Sequence, residues 1–234
     1  MHAAICDVSE PWAHGTVVRA TRYPQYWDYN LVRVEKDPAL SVEQLVAFAD
    51  EALATVDHRR IDFERTESAE ALRPRFEELG WQTQRLVWML HEAAPPPGPE
   101  VDVEEVPYEA VEDLHVAWHG EDFPDHELGD HIAEAREVAE RQGVQVLAVL
   151  DAGTPVAFAQ LIRDGRSAEI TQVYVHPDHR GRGLGTATTR AAIAAAGDAD
   201  DLWIVADDEG RPKELYGRLG FRPVWTAIEA LRLP

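Results

Sequence analysis

The sequence has a single cysteine and no long apolar run. With Cys6 alone, neither an intramolecular disulfide framework nor a cysteine-based zinc cluster can form. No stretch approaches the ~18 apolar residues that a membrane-spanning helix needs. Residues 1–10 also lack the basic start and apolar core of a signal peptide. We therefore expect a cytoplasmic protein with no membrane partner.

Basic residues are scarce: 22 stand against 43 acidic ones, which gives a net charge of −21. Such a chain repels the phosphates of nucleic acids, so we expect no nucleic-acid partner. The excess of acidic over basic residues is concentrated in residues 100–142, where 15 acidic residues are accompanied by only two arginines. Solvated helix faces are the simpler interpretation. The alternative is an electrostatic field that attracts a cationic substrate.

Prolines cluster in residues 93–99, whose sequence is Ala-Ala-Pro-Pro-Pro-Gly-Pro. This segment cannot form a helix or an inner strand, and it predicts a stiff linker. The linker divides the chain into residues 1–92 and residues 100–234. A chain of 234 residues with 45% hydrophobic content can bury one sizeable core or two smaller ones.

Hydrophobic periodicity predicts a mixed α/β fold in both halves. The first 30 residues are hard to assign. Residues 23–30 hold four aromatic side chains, which indicate a core or interface cluster or a wall of a substrate pocket. The first half then reads as strands over 31–35, 60–64 and 84–91 and helices over 41–54 and 68–79. The second half reads as strands over 101–106, 144–150, 155–163, 168–175 and 202–206, helices over 109–118, 128–141, 184–196 and 212–219, and one or two final strands over 221–233.

The chain contains an internal repeat. Residues 72–81 and residues 212–221 each read as a helix, a Leu-Gly pair, an aromatic residue and a strand. The first of these segments has Phe76 where the second has Tyr216. A glycine-rich loop follows the strand at 168–175, whereas none follows the strand at 31–35. The first half is therefore interpreted as a degenerate copy of the second.

The glycine-rich loop runs from Arg180 to Gly185 with the sequence Arg-Gly-Arg-Gly-Leu-Gly, between a strand and an alanine-rich helix. Its glycines allow positive φ and a close approach of ligand to backbone. The unpaired amides and the dipole of the following helix favour an anion. These features predict a pyrophosphate site. Neither a dinucleotide-binding Gly-x-Gly-x-x-Gly pattern nor a Gly-Lys-Ser/Thr loop is present.

The order of motifs resembles the GCN5-related N-acetyltransferase (GNAT) superfamily. The loop begins seven residues after Val173, opens a helix, and precedes a strand and the segment Leu215-Tyr216-x-x-Leu-Gly-Phe221. The resemblance is good over residues 101–234 and faint over 31–92. It implies a tandem GNAT protein with a degenerate first domain, each domain having a mostly antiparallel central sheet flanked by helices. It also implies acetyl transfer from acetyl-CoA, as cosubstrate, to an amine.

The resemblance also implies which residues bind the cosubstrate. Two strands separate beside the loop, and the pantetheine arm lies between them; the backbone near Val173 could also polarise the thioester carbonyl. The residues implied are Val173, Tyr174 and Val175 for the pantetheine arm, and Arg180, Gly181, Arg182, Gly183, Leu184, Gly185 and Thr186 for the pyrophosphate.

Tyr216 falls on the position of the family's general acid, near the sulfur of CoA. A thiol, with a pKa of about 8.5, leaves more easily when a positioned donor protonates it. The structural alternative is an ordinary buried aromatic residue on a helix. The replacement by Phe76 in the first half favours the catalytic interpretation.

The attacking amine must lose a proton, and Glu169 is the candidate base, acting through water. Strand alternation is expected to place Glu169, Thr171, Val173 and Val175 on one face. Histone-acetylating relatives place a carboxylate at the matching position. A solvated acid at the end of a strand is the alternative interpretation. Rival candidates for the base are Asp122, Asp125 and His126.

Two features depart from the family or invite another chemistry. Glu209 stands where many members have asparagine. Together with Asp207 and Asp208 it forms an acidic patch that suits an ammonium better than a phosphate. Arg211 or Lys213 could offset the negative charge of this patch near the 3′-phosphate of CoA. Histidines occur at 115, 119, 126 and 131, but nothing fixes a third ligand or an outer shell, so we expect no metal.

The sequence therefore predicts an N-acetyltransferase for a primary amine of a small cationic molecule. The alternatives are an acetyltransferase for protein or peptide amines and a non-catalytic acyl-CoA-binding regulator. The identity of the acceptor, the length of the acyl group and the choice between monomer and homodimer stay open at this point.

Overall fold

The computed structural model describes residues 5–94, 101–127 and 130–234. Within these residues the chain forms eleven strands and seven α-helices, numbered here in chain order, and three short 3-10 helices. The strands are β1 (Val8–Trp12), β2 (Gly15–Arg19), β3 (Leu31–Val34), β4 (Arg59–Phe63), β5 (Gln82–His91), β6 (Glu104–Val106), β7 (Gln145–Asp151), β8 (Thr154–Asp164), β9 (Ser167–Val175), β10 (Asp201–Asp207) and β11 (Phe221–Arg232). The helices are α1 (Val42–Ala52), α2 (Thr66–Glu70), α3 (Arg73–Glu78), α4 (Glu112–Asp122), α5 (His131–Gln142), α6 (Leu184–Ala196) and α7 (Pro212–Arg218).

One mixed sheet contains all of these strands, in the order β1-β2-β3-β4-β11-β5-β10-β9-β8-β7-β6. Its parallel pairs are β3 with β4 and β9 with β10, and its other neighbours are antiparallel. Buried side chains pack α1 and α3, and likewise α6 and α7, against one face of the sheet. Helices α4 and α5 lie on the other face. The predicted mixed α/β fold is confirmed.

The two halves of the chain are interleaved at the centre of the sheet. Strand β5, from the first half, lies between β10 and β11 and pairs antiparallel with both. Strand β11, from the second half, lies between β4 and β5. Each half therefore inserts a strand between strands of the other. Most of the predicted linker at 93–99 lies outside the described residues, and a domain boundary there stays a prediction.

The internal repeat is visible in three dimensions. A glycine with positive φ lies two residues after the end of each of α3 and α7, Gly80 (+80°) and Gly220 (+94°), before β5 and β11 begin. Glycine at 220 is also required sterically, because a Cβ there would lie 1.8 Å from the carbonyl oxygen of Ala93. Edge-to-face ring pairs occupy both corners: Phe76 with Trp81 at 5.2 Å, and Tyr216 with Phe221 at 6.3 Å.

The predicted helix over 68–79 is wrong, because the segment forms two short helices, α2 and α3. Pro74 lies in the first turn of α3. A continuous helix would bring its ring against the carbonyl of Glu70 and would lose a backbone hydrogen bond. The predicted helix over 128–141 begins at His131, and residues 128–129 are outside the described part. Residues 221–232 form one strand, whose register shifts between Pro223 and Trp225.

No helix in the described ranges combines the length and the apolar character needed to cross a bilayer.

Candidate active site

Strands β9 and β10 separate part-way along their length. They pair from Ser167 with Asp201 to Ile170 with Ile204. Beyond that point, β9 continues to Val175 against β8, and β10 continues to Asp207 against β5. Among the described residues, the facing edges of the two strands have no further ladder partner. Such a gap can accept an extended chain as an added strand.

The glycine-rich loop connects the open end of β9 to α6. Gly181 and Gly183 have φ values of +77° and +79°, which side chains other than glycine rarely adopt. Gly183 is the N-cap of α6, and no described side chain caps the helix there. A Cβ on Gly185 would lie 3.4 Å from Cγ2 of Val175, so the helix begins close against β9. The first amides of α6 are thus available to an anion.

The corresponding part of the first half is closed. The side-chain oxygen of Ser41 accepts a hydrogen bond from the amide of Gln44, and the side-chain oxygen of Gln44 accepts one from the amide of Ser41. This capping box fills the N-terminus of α1. Strands β3 and β4 stay paired to their last residues, Val34 and Phe63. Within residues 5–94 the structure therefore has neither the gap nor the cradle.

Arg180 is held at the loop by three contacts. Its Nε donates to the carbonyl of Val175 at 3.0 Å, and its Nη2 lies 2.8 Å from a carboxylate oxygen of Glu121. Its guanidinium is 5.7 Å from the ring centre of Tyr174. Burial favours the neutral acid of Glu121, but hydrogen bonds from Tyr174 and Arg180 lower its pKa below the usual value. No sequence pattern indicates this role of Glu121, because Glu121 precedes Arg180 by 59 residues.

Substituting Gly183 by alanine should weaken acyl-CoA binding at least tenfold. The substitution forces a side chain into the left-handed region, which costs about 1–2 kcal/mol, and places a methyl group at the predicted pyrophosphate site. Gly153→Ala is the matched control, since Gly153 has φ +85° in the turn between β7 and β8 and has open space around it. Thermal unfolding and CoA calorimetry measure both effects. Equal CoA affinity in the two variants would contradict the cradle.

Tyr216 lies on α7 and is buried, with 6% of its surface exposed. It packs in the same cluster as Phe221 and Ala192, against which Val173 also packs. Burial raises the pKa of its phenol, so the hydroxyl stays protonated at neutral pH. The side chain is therefore on the α6 and α7 side of the strand gap, in the protonation state that a general acid needs.

A β-bulge in β9 changes the position predicted for Glu169. Gln172 pairs with Gln160 and Ile170 pairs with Leu161, so Thr171 is an extra residue in the strand. The bulge reverses the alternation of side chains. Glu169 therefore does not share a face with Val173, and that part of the prediction is wrong.

Because of the bulge, the two catalytic candidates, Tyr216 and Glu169, lie on opposite faces of the sheet. Val173 packs on the side of α6 and Tyr216, and Val175 packs near Leu184 at the start of α6. Glu169 and Thr171 instead line a cavity on the side of α5. The strand gap between β9 and β10 lies between the two sides. A thioester in the gap would have an acid on one side and a carboxylate on the other.

The cavity has a volume of about 530 Å³ and is lined by both halves of the chain. Gln172 of β9 and Val205 of β10, which lie where the two strands have separated, also line it, so the cavity borders the strand gap. Tyr26 and Tyr29, from the aromatic segment 23–30, form part of its wall. Both also pack against the buried cluster that contains Tyr23, so the two interpretations of that segment both apply. The first half contributes further charged and aromatic side chains: Asp28, Arg33, Arg60, Asp62, Glu64 and Trp88.

The cavity is electrostatically negative. Four carboxylates of described residues line it, against the two guanidinium groups of Arg33 and Arg60. Burial raises the pKa of Glu169 to about 6, and the charge of Asp28 acts in the same direction. Glu169 is thus mostly ionised at pH 7 yet protonated more easily than an exposed glutamate, as suits a general base.

Comparison with known proteins agrees with the geometry. Residues 108–221 match the sequence model of the acetyltransferase (GNAT) family. Residues 108–221 therefore belong to the GNAT superfamily. An uncharacterized N-acetyltransferase of Methanocaldococcus jannaschii is 38% identical over 80 residues, which make up 30% of this chain and 35% of that relative. The match therefore spans about a third of the curated relative.

Solved structures share the fold of this GNAT protein over most of its length. A conserved protein of unknown function from Staphylococcus epidermidis superposes with a TM-score of 0.72 at 16% identity, covering 96% of this chain and 92% of that one. A tandem GNAT protein from the clavulanic acid biosynthesis pathway superposes with a TM-score of 0.54 at 13% identity, covering 86% and 74%. At these identities the likeness concerns the fold alone.

The acidic patch that replaces the asparagine of many GNAT proteins is already neutralised. Glu209 bonds Arg73 of the first half at 2.9 Å. Asp208 bonds Arg85 at 2.7 Å and Lys213 at 2.6 Å. Lys213 is therefore engaged within the patch, and the first half supplies the two arginines that hold it.

The rival bases lie elsewhere in this GNAT fold. Asp122 borders a second cavity of about 410 Å³, together with Glu209 and Glu229, and burial raises its pKa. His126 borders a small crevice beside Trp27. Among the described residues that line the 530 Å³ cavity, Glu169 is the one proposed base; Asp122, Asp125 and His126 are not among them.

The histidines contribute aromatic packing between α4, α5 and the first half. His131 stacks on Trp27 at 3.7 Å, and His115 stacks on Tyr108 at 4.9 Å and bonds Gln160. Burial lowers the pKa of His115 to about 3 and that of His119 to about 4. In the described part of the chain, no group of three ligand side chains is placed to hold a metal ion.

Proposed function

We propose that this protein transfers an acetyl group from acetyl-CoA to a primary amine of a small cationic molecule. The observation that carries the proposal is the gap between β9 and β10, which has the glycine-rich loop at its open end and borders a cavity with excess negative charge. The cradle suits the pyrophosphate, the gap suits the pantetheine arm, and the cavity suits the acceptor.

The reaction follows from the placement of two side chains. The amine nitrogen attacks the thioester carbonyl carbon, a C–N bond forms and the C–S bond breaks. Glu169, through a water molecule, takes the proton that the ammonium must lose before it attacks. Tyr216 gives its proton to the departing sulfur, and the proton that the nitrogen loses as the amide forms returns to the Tyr216 phenolate through solvent. Backbone amides beside Val173 stabilise the oxygen of the tetrahedral intermediate.

The volume of the cavity and the contribution of the first half to its lining favour small acceptors over proteins. Side chains of the first half, including Asp28 and Trp88, line the cavity together with Glu169. An extended peptide needs an open groove, whereas small ligands are bound in concave sites of about 300–1,000 Å³. The negative lining favours a cationic acceptor.

Release of CoA thiol, with mass spectrometry of the product, tests the proposal on a panel of amines. We expect acetylated small amines as products, with slower reaction for peptide amines and for longer acyl-CoA donors. Tight CoA binding without release by any amine would overturn the proposal in favour of a non-catalytic regulator. Faster reaction with peptide amines would assign the acceptor to proteins.

A further inference from the structure

We propose that Glu121, in the last turn of α4, is a positioning residue for the acyl-CoA donor. Its carboxylate holds the Arg180 guanidinium in one orientation and leaves the remaining N–H groups of that guanidinium to the pyrophosphate. The inference rests on the proposed function and adds to it a residue outside the glycine-rich loop.

The hydrogen bonds of Arg180 leave one of its nitrogens for a ligand. A guanidinium has five N–H donors. Nε donates to the carbonyl oxygen of Val175 at 3.0 Å, and Nη2 lies 2.9 Å and 2.8 Å from the two carboxylate oxygens of Glu121. No hydrogen bond to another described residue uses Nη1, and the side chain is 50% exposed. The two N–H groups of Nη1 are therefore the donors available to an anion at the loop.

Glu121 is itself fixed by Tyr174. The Tyr174 hydroxyl donates to the Glu121 carboxylate at 2.5 Å. The Tyr174 side chain is buried, and its ring centre lies 5.7 Å from the Arg180 guanidinium. The carboxylate, the tyrosine and the guanidinium thus each contact the other two. An exposed ion pair usually contributes little, because two long side chains must be ordered; here a buried tyrosine orders both partners.

The second arginine of the loop has no such partner. Arg182 donates to the carbonyl oxygen of Asp178 at 3.3 Å, and no carboxylate among the described residues pairs with it. Arg182 therefore brings unbalanced positive charge to the loop, whereas the charge of Arg180 is balanced by Glu121. It follows that Arg180 contributes directed N–H donors rather than net charge, and that their direction depends on Glu121.

Removal of Glu121 has two opposing effects on the binding of a pyrophosphate. It releases the Arg180 guanidinium, which weakens binding, and it deletes a negative charge, which strengthens binding. Both side chains are partly exposed, and salt screens exposed charges. We therefore expect the loss of orientation to dominate while Arg180 is present. Once Arg180 is absent, only the effect of the deleted charge is left.

Glu121→Ala should raise KM for acetyl-CoA about tenfold and keep kcat within about twofold of the wild type, as expected for a residue that acts on donor binding. Glu112→Ala is the matched control, because Glu112 lies on the same helix and bonds Arg136 at 3.0 Å, away from the loop. The control should leave both constants unchanged. An equal rise of KM in the two variants, or a fall of kcat without a rise of KM, would contradict the positioning role.

Calorimetry with CoA, on the wild type, Glu121→Ala, Arg180→Ala and the double variant, shows whether Glu121 acts through Arg180. With Arg180 present, loss of Glu121 should lower the affinity for CoA about tenfold, whereas in the Arg180→Ala background the two effects should no longer oppose each other. There the loss of Glu121 should leave the affinity unchanged or raise it, because an unpaired carboxylate repels the pyrophosphate. The same loss of affinity in both backgrounds, or in neither, would overturn the inference.

The binding measurement needs no turnover, so it separates the positioning role from the proposed function. The expected pattern of affinities supports the role even if no amine is acetylated. Acetylation by a wild type whose CoA affinity does not depend on Glu121 would refute the role and leave the proposed function in place. A wild type that binds no CoA would overturn both.

Discussion

Tyr216→Phe should lower kcat by about two to four orders of magnitude and leave the affinity for acetyl-CoA nearly unchanged. The variant keeps the ring that packs against Phe221 and removes only the hydroxyl. Without a positioned proton donor, the sulfur must depart as a thiolate. The ground-state complex does not need this proton, so binding should be retained. Stopped-flow or coupled thiol assays measure kcat, and calorimetry measures binding.

Tyr23→Phe provides the control for loss of a buried tyrosine hydroxyl. Tyr23 is 1% exposed, its hydroxyl lies 3.4 Å from Arg141, and it is not among the described residues that line the cavity. Its kcat should stay within about twofold of the wild type, a change equivalent to less than 0.5 kcal/mol in the barrier. If both variants lose activity equally, or Tyr216→Phe keeps full turnover, Tyr216 is not the acid.

Glu169→Gln should lower kcat/KM about 100-fold at neutral pH and remove the acidic limb of its pH profile. In the wild type, burial raises the pKa of Glu169 to about 6. Below that pH the carboxyl is protonated and cannot accept the proton of the amine, so the rate should rise as pH increases through about 6. Glutamine has no such ionisation, and the limb should disappear.

Asp122→Asn tests the rival base in the same assay. Asp122 borders the second cavity, so the variant should keep both the rate and the acidic limb. If Glu169→Gln keeps the acidic limb of the pH profile and Asp122→Asn loses it, Asp122 is the general base. If both variants keep the acidic limb, the ionisation of the amine itself sets the pH profile.

The cradle could be predicted from sequence because its signal is local. Positive φ at Gly181 and Gly183, the start of α6 at Leu184 and the preceding strand are each determined by neighbouring residues. The break of the helix at Pro74 has an equally local cause. The ring of Pro74 excludes a continuous helix whatever the rest of the fold does.

The remaining features depend on partners that are distant in the chain. The bulge at Thr171 is a property of its pairing with β8, and a period of two cannot reveal one extra residue. The alternation in β5 fits any neighbouring strand, so its position between β10 and β11 was not predictable. Likewise, the joining of Arg60 to Asp28 and Glu229 combines three separate segments. The composition predicted a negative electrostatic field, but it did not predict which carboxylates line the cavity.

The interleaved strands have a consequence for how the protein is made. Strands β4 and β5 leave the ribosome long before β11, which fills the space between them. Until then, their edges have unpaired amides and carbonyls that can join strands of other molecules. Neither half can complete its sheet first, and closure depends on contacts that are remote in sequence, which fold slowly. The nascent chain therefore passes through a prolonged stage at which a chaperone that shields strand edges would raise the yield of native protein.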